Sequence, residues 1–288
     1  MFAIKRILFP VDFSERICGA APFVAATAKR FGAQVTLMSI APPLWYAAMG
    51  DVGTPVYIDP EELRADLESR LAGVLVKEFD GVPVERIAEV GDPAAEITRF
   101  AHTQGVDLIM MPTHGYGPFR SMLLGSVTAK VLHDTQCPVW TGVHMEGAPG
   151  LQHVNPRNVL CAVDGTPKSA PLMEWAADYS KRTEAALRIV SVVPAIEGWP
   201  ERQLDRELET AAVKETRERM QKLEREAGID APLCIAVGNI PGAVREEAQR
   251  HAADLVVIGR GLLHETFGRL RTHSYGIIRQ APCPVVSV

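Results

Sequence analysis

The chain has 288 residues, 47% of them hydrophobic and 23% charged, with a formal net charge of −5. That length accommodates two domains with full cores, and the acidic balance excludes a global basic field for nucleic acid. No apolar run approaches the roughly 18–20 residues needed to cross a bilayer.

The chain opens Met1-Phe-Ala-Ile-Lys-Arg-Ile-Leu, with charges inside the apolar stretch and no small-residue cleavage site, which argues against a signal peptide. A strand is expected at 4–11, a helix at 15–31, a strand at 34–41 and a helix at 60–79. Then follow a strand at 84–90, a helix at 93–104, a strand at 106–112, a helix at 122–134 and a strand at 138–143. The segment 144–156 is rich in Gly and Pro, lacks periodicity and reads as a linker. Beyond it, strands are expected near 157–163, 186–193, 232–237, 254–259 and 284–288, and helices near 168–182, 201–227, 241–252 and 268–280. Apolar strands alternating with helices imply a parallel sheet covered on both faces and joined by right-handed crossovers. The segment 41–59, with Trp45 and Tyr46 among its prolines and glycines, is long for such a fold and has the character of a lid or interface arm. Cys18, Cys137, Cys161, Cys234 and Cys283 form no CxxC pair and read as buried thiols in a reducing cytoplasm.

The two halves repeat one another. Ile4-Lys-Arg-Ile-Leu-Phe-Pro-Val-Asp12 returns as Pro156-Arg-Asn-Val-Leu-Cys-Ala-Val-Asp164, and Cys137-Pro-Val-Trp returns as Cys283-Pro-Val-Val. The offset, 146 to 152 residues, is that of a whole domain rather than a solenoid unit.

In open parallel sheets ligands bind beyond the carboxyl ends of the strands, where the strand order switches. Asp12 ends the first strand there, ahead of Ser14, a candidate helix cap. After the fourth strand comes Pro112-Thr-His-Gly115-Tyr-Gly117, and after nine residues between, Gly125-Ser126-Val127 follows Gly115 at a helix start. Glycine admits a close approach, and free amides with the helix dipole favour an anion. An acid able to hold ribose hydroxyls or a divalent ion, beside a phosphate cradle, describes a mononucleotide site. Each feature alone is more often an ordinary cap, turn or helix start; their joint placement carries the reading.

Those residues, with Ala129-Lys-Val-Leu-His and Cys137-Pro-Val, resemble the signature of the universal stress proteins, and Leu8-Phe-Pro-Val-Asp12 resembles that family's first strand. The resemblance covers both halves and implies a tandem member with domains at 1–145 and 154–288. The implied fold is α/β, two open parallel five-stranded sheets of the adenine-nucleotide alpha-hydrolase-like type, strand order 3-2-1-4-5, with helices on both faces. It implies ATP, with or without Mg2+, as ligand of the first half. The implied binding residues are Pro10, Val11 and Asp12, Ile40 for the base, Met111, Pro112, Thr113, His114 and Gly115, and Gly125, Ser126, Val127 and Thr128 for the phosphates. Pro112 stands where the family has a glycine and removes one amide. The resemblance further implies a cytoplasmic stress-response regulator or interaction protein rather than an enzyme. It also implies an internal pseudo-dimer through 138–143 and 284–288, a homodimer, or a protein partner, with no nucleic acid or membrane. Pro112 favours a second reading, a nucleotide-free interaction module. A third, an adenylating enzyme, is opposed by Asp12-Phe-Ser-Glu where a phosphate-binding motif would stand.

The second half keeps Asp164 and Gly259-Arg-Gly261 but diverges in the phosphate loop. Counted back from Cys283, Arg271 takes the place of Gly125 and Thr272 that of Ser126; counted forward from Asp254, His273 matches Ser126. Either register puts a bulky residue in the cradle. One ATP per chain is the expectation.

Overall fold

The computed structural model describes residues 2–42, 59–113, 124–142, 154–195, 203–260 and 269–288, with the backbone alone at 203–206 and 269–272. The chain divides into two compact units, residues 3–151 and residues 152–288 together with 1–2.

In the first unit the elements alternate as β1 (Arg6–Pro10), α1 (Glu15–Phe31), β2 (Gln34–Ala41), α2 (Pro60–Ala72), β3 (Val84–Val90), α3 (Pro93–Thr103), β4 (Leu108–Pro112), α4 (Ser126–Asp134) and β5 (Val139–Gly142). The strands lie in the order β3-β2-β1-β4-β5, all parallel. The sheet grows outward from β1, which pairs with β2 on one side and β4 on the other. That is why Ile7, Leu8 and Phe9 are essentially inaccessible, as are Ile109 and Met110 beside them. A strand covered on both faces reads as an unbroken apolar run.

The second unit repeats the plan with β6 (Asn158–Val163), α5 (Ser169–Thr183), β7 (Ala186–Pro194), α6 (Gln203–Ala227), β8 (Leu233–Gly238), α7 (Ile240–Arg250), β9 (Leu255–Ile258), α8 (Arg269–Gln280) and β10 (Val285–Ser287). Its strands run parallel in the order β8-β7-β6-β9-β10. The expected 3-2-1-4-5 arrangement is therefore present in each unit.

The same polar device closes the amino edge of both sheets. Asp107 accepts the amides of Lys5 and Arg6 at 2.7 and 2.9 Å, and Asp254 accepts those of Arg157 and Asn158 at 2.8 and 3.0 Å. Each carboxylate satisfies two amides at the entry to the central strand.

Two helices are shorter than their sequence implied. The helix expected over 60–79 ends at Ala72; Gly73 follows at the C-cap, and Leu75 takes a left-handed φ of 54°. The chain then winds through a turn that still buries Leu75 and Phe79, which explains why the apolar pattern outlasts the helix. The helix expected over 122–134 opens only at Ser126, because Gly125 is extended, with φ −57° and ψ 143°. The cysteines divide: burial pushes Cys161 and Cys283 up to about 12, whereas Cys18 is exposed, contrary to the expectation of buried thiols throughout.

Candidate functional site

All helices of such a unit begin at the carboxyl edge of the sheet, so their N-termini can be compared as possible ligand sites. In the first unit, Asp59 caps α2 by accepting the Glu61 amide at 3.0 Å, and Asp92 caps α3 by accepting the Ala95 amide at 2.8 Å. The Ala95 amide and then Lys130 at 3.1 Å hold the Asp92 carboxyl below the usual carboxylate range. Neither α1 nor α4 has a side-chain cap. These two helices flank β1 and β4, the pair at which the strand order switches. The first amides of a helix have no partner within it, and those of α4 belong to Ser126, which is exposed, and Val127, which is half-buried. An uncapped helix start at a switch point suits an anion.

The predicted residues fall around this point in three groups. Pro10 ends β1, and Val11 donates its amide to Met38 across to β2 at 2.8 Å, leaving Asp12 exposed at the strand's exit. Ile40 lies half-buried near the end of β2. Met111 and Pro112 end β4, and Thr113 is buried behind them, its amide and hydroxyl both donating to the Gly142 carbonyl at 3.2 and 3.1 Å. Gly125 returns the chain to this edge by donating its amide to the Thr113 carbonyl at 2.9 Å. Thr128 serves the same turn: it is 3% exposed, and its hydroxyl donates to the Pro112 carbonyl at 3.2 Å. Its hydroxyl is therefore engaged inside the fold, and Ser126 is the hydroxyl left at the helix start. His114 and Gly115 lie outside the described residues, as do 43–58 with Trp45 and Tyr46.

Ser14 differs from its expected role. It occupies the N-cap position of α1 but makes no side-chain cap. Its amide and hydroxyl donate instead to Oδ1 of Asp12, at 3.0 and 2.6 Å. Phe13 between them has a φ of 59°, in the left-handed region, with the Arg70 guanidinium 4.1 Å from its ring centre.

The second unit carries the same turn in a different setting. Thr166 donates its amide and hydroxyl to Oδ1 of Asp164 at 3.0 and 2.8 Å, and the Ser169 hydroxyl adds a third bond at 2.8 Å. Burial pushes the Asp164 carboxyl up, but the Thr166 and Ser169 hydrogen bonds outweigh it and leave the group below the usual carboxylate range. Gly165 takes the place of Phe13, and Arg219 of α6 lies against it: a β-carbon there would sit 3.0 Å from the Arg219 Nε.

Hydrogen bonds also fix the register of the corresponding loops of the two units. Ser274 donates its hydroxyl to the Gly259 carbonyl at 3.3 Å, as Thr128 does to Pro112. The Arg260 amide donates to the Val288 carbonyl at 3.2 Å, as Thr113 does to Gly142. Ser274 thus corresponds to Thr128, and Arg271 stands at the position of Gly125, so the count back from Cys283 holds. The single-residue deletion falls between Arg260 and Ser274.

A cavity of about 490 Å³ lies at the opposite, amino edge of the first unit, between the ends of α3 and α4, and is separate from this site. Among the described residues no His, Cys, Asp and Glu cluster could hold a metal ion, and no helix is long and apolar enough to cross a membrane.

Residues 3–141 and 155–288 each match the sequence model of the universal stress protein family. The chain is 30% identical to universal stress protein MJ0577 of Methanocaldococcus jannaschii over 151 residues, 47% of this chain and 92% of that protein. It is 27% identical to universal stress protein YxiE of Bacillus subtilis over 143 residues, 47% of this chain and 96% of that one. Among solved structures, a universal stress protein from Archaeoglobus fulgidus matches at a TM-score of 0.69 and 22% identity, covering 99% of this chain and 96% of its own.

Proposed function

The chain belongs to the universal stress protein family in both halves, and from that premise we propose that its first unit binds ATP at the β1–β4 switch point and that the protein acts as a stress-response regulator through protein contacts, without turnover of its own. The observation that carries the reading is the contrast between capped and uncapped helices. Asp59 and Asp92 satisfy the starts of α2 and α3, whereas α1 and α4 at the switch point have no side-chain cap.

The residues present fit a nucleotide. Gly125 presents no side chain at the α4 entrance, Ser126 adds an exposed hydroxyl, and the amides of Ser126 and Val127 are left over from the helix ladder. Asp12 supplies a carboxylate at the end of β1 for the sugar, the base or a Mg2+ travelling with the phosphates, and the end of β2 at Ile40 offers backbone for the base. A helix N-terminus contributes partial positive charge where a triphosphate concentrates negative charge. In this reading ATP is a signal that the protein carries: nucleotide occupancy sets which surface a cytoplasmic partner, or a second copy of the chain, meets.

The test is direct. Protein purified without added nucleotide is extracted with acid and the extract resolved by chromatography, and stripped protein is titrated with ATP. Recovered adenine nucleotide or saturable ATP binding supports the reading. Absence of both leaves the nucleotide-free interaction module, the reading that Pro112 favours.

A further inference from the structure

A serine at the N-cap of a helix ordinarily turns its hydroxyl onto the amides of the first turn, which is worth about 1 kcal/mol. Ser14 holds that position with an extended backbone, φ −74° and ψ 159°, and does not cap. Both its amide and its hydroxyl go to one oxygen of Asp12, at 3.0 and 2.6 Å. Within this short ring Phe13 has a φ of 59°, a conformation that is costly for a residue with a β-carbon. Two local preferences are therefore set aside at one turn, a helix cap and an unstrained backbone. What results is an exposed carboxylate with Oδ1 doubly engaged and Oδ2 accepting no hydrogen bond among the described residues. Rules broken together at the mouth of a binding crevice point to a task at that site.

We propose that Ser14 is a positioning residue for ligand recognition: it fixes the Asp12 carboxylate by its Oδ1 so that Oδ2 accepts a hydrogen bond from a neutral donor of the nucleotide. This rests on the nucleotide reading of the first unit. A carboxylate is an acceptor only, so its partner on the nucleotide is a donor, either the exocyclic amine of the base or a ribose hydroxyl. An unanchored aspartate would lose side-chain freedom on making that bond; the anchored one has already lost it. Thr166 makes the same pair of bonds to Asp164, so threonine is compatible with the geometry and supplies the conservative variant.

The experiment is a set of titrations of stripped full-length protein with ATP, inosine triphosphate (which lacks the amine) and 2′,3′-dideoxy-ATP (which lacks both hydroxyls). A hydrogen bond to a charged group is worth about 1.5–3 kcal/mol, so the wild type binds one of the two analogues at least about tenfold more weakly than ATP, and that analogue identifies the donor. In Ser14→Ala the gap closes to about threefold or less, because ATP weakens while the deficient analogue does not; Ser14→Thr restores it. Circular dichroism checks folding, and Ser14→Gly, with a residue tolerated at N-caps, replaces the alanine variant if that fails to fold. A purely structural role would weaken all three ligands alike and leave the gap intact, which overturns the proposal. Equal binding of ATP and both analogues by the wild type overturns it too. Failure of the wild type to bind ATP at all is a different result and removes the nucleotide reading itself.

Discussion

Substituting valine for Gly125 separates the ligand site from the fold. Gly125 has φ −57° and ψ 143°, a region open to every L-residue, so valine introduces no backbone strain. Its amide bond to Thr113 at 2.9 Å does not depend on the side chain. The cost to the fold is the difference between glycine and valine at an N-cap, about 1 kcal/mol, a fall of about 2–4 °C in Tm for a domain of this size. The cost to a bound triphosphate is larger. An isopropyl group at the entrance of α4 holds phosphate oxygens away from the amides of Ser126 and Val127. Each charge-assisted bond is worth about 1.5–3 kcal/mol, so losing two removes at least about 3 kcal/mol, or a hundredfold in Kd. Isothermal titration of stripped protein beside a thermal melt reads both numbers. A folded Gly125→Val protein with wild-type ATP affinity refutes the cradle, and a large loss of stability would show that Gly125 is a packing residue instead.

Three further outcomes follow from the same geometry. Titration of the stripped wild type gives one ATP per chain; two equivalent sites would show that the divergence between the halves has no effect on binding. Gly276→Ala on α8 destabilises the second unit, because a β-carbon there meets Pro241 Cγ at 2.6 Å; overpacking of about 1–3 kcal/mol outweighs or cancels the roughly 1 kcal/mol that alanine gains in a helix, and a clear rise in the denaturation midpoint would refute this. For Asp164, whose folded pKa lies below its unfolded value of about 3.9, the stabilisation is complete above the unfolded pKa and is lost as pH falls through the folded one. Urea unfolding at pH 7 and pH 3 should therefore show Asp164→Asn less stable than wild type at the higher pH and much closer to it at the lower, and an equal gap at both would contradict the charge-assisted turn.

The apolar run Ile7-Leu8-Phe9 made a strand covered on both faces legible, whereas the 3-2-1-4-5 order came from the resemblance to the universal stress proteins, because an apolar run does not say which strands lie beside it. The places of Asp12 after β1 and of Gly125 ahead of α4 were legible because the sequence marks that strand end and that helix start. The role of Ser14 was not. A hydroxyl two residues after an aspartate and one before a helix has two acceptable partners, the helix amides or the carboxylate, and the choice depends on the left-handed φ of Phe13, which nothing in that side chain announces. The end of α2 was hidden for a related reason: Leu75 and Phe79 keep an apolar spacing although Leu75 has left helical geometry. The buried Thr128 hydroxyl could have been suspected from Ser274, its counterpart at the matching distance from the Cys-Pro-Val motif. The repeat itself was the available signal.

The register of the second loop has a consequence for how the two halves have diverged. With Ser274 equivalent to Thr128, a helix like α4 would open at Thr272, yet α8 opens at Arg269. Three residues exceed the one or two by which helix ends scatter between definitions. At 1.5 Å per residue the extra length is about 4.5 Å of helix, comparable to the depth of one phosphate group, and it runs where the first unit holds the non-helical Leu124 and Gly125. The amides of Thr272 and His273, the counterparts of Ser126 and Val127, lie within α8 instead of at its start. Replacing Arg271 by glycine would therefore not by itself recreate a nucleotide site, because the backbone as well as the side chain has changed. What the two units share is the carboxylate at the amino edge, Asp107 or Asp254, and the hydroxyl bond of Thr128 or Ser274, which tie the central strand and the last helix of each unit to their neighbours.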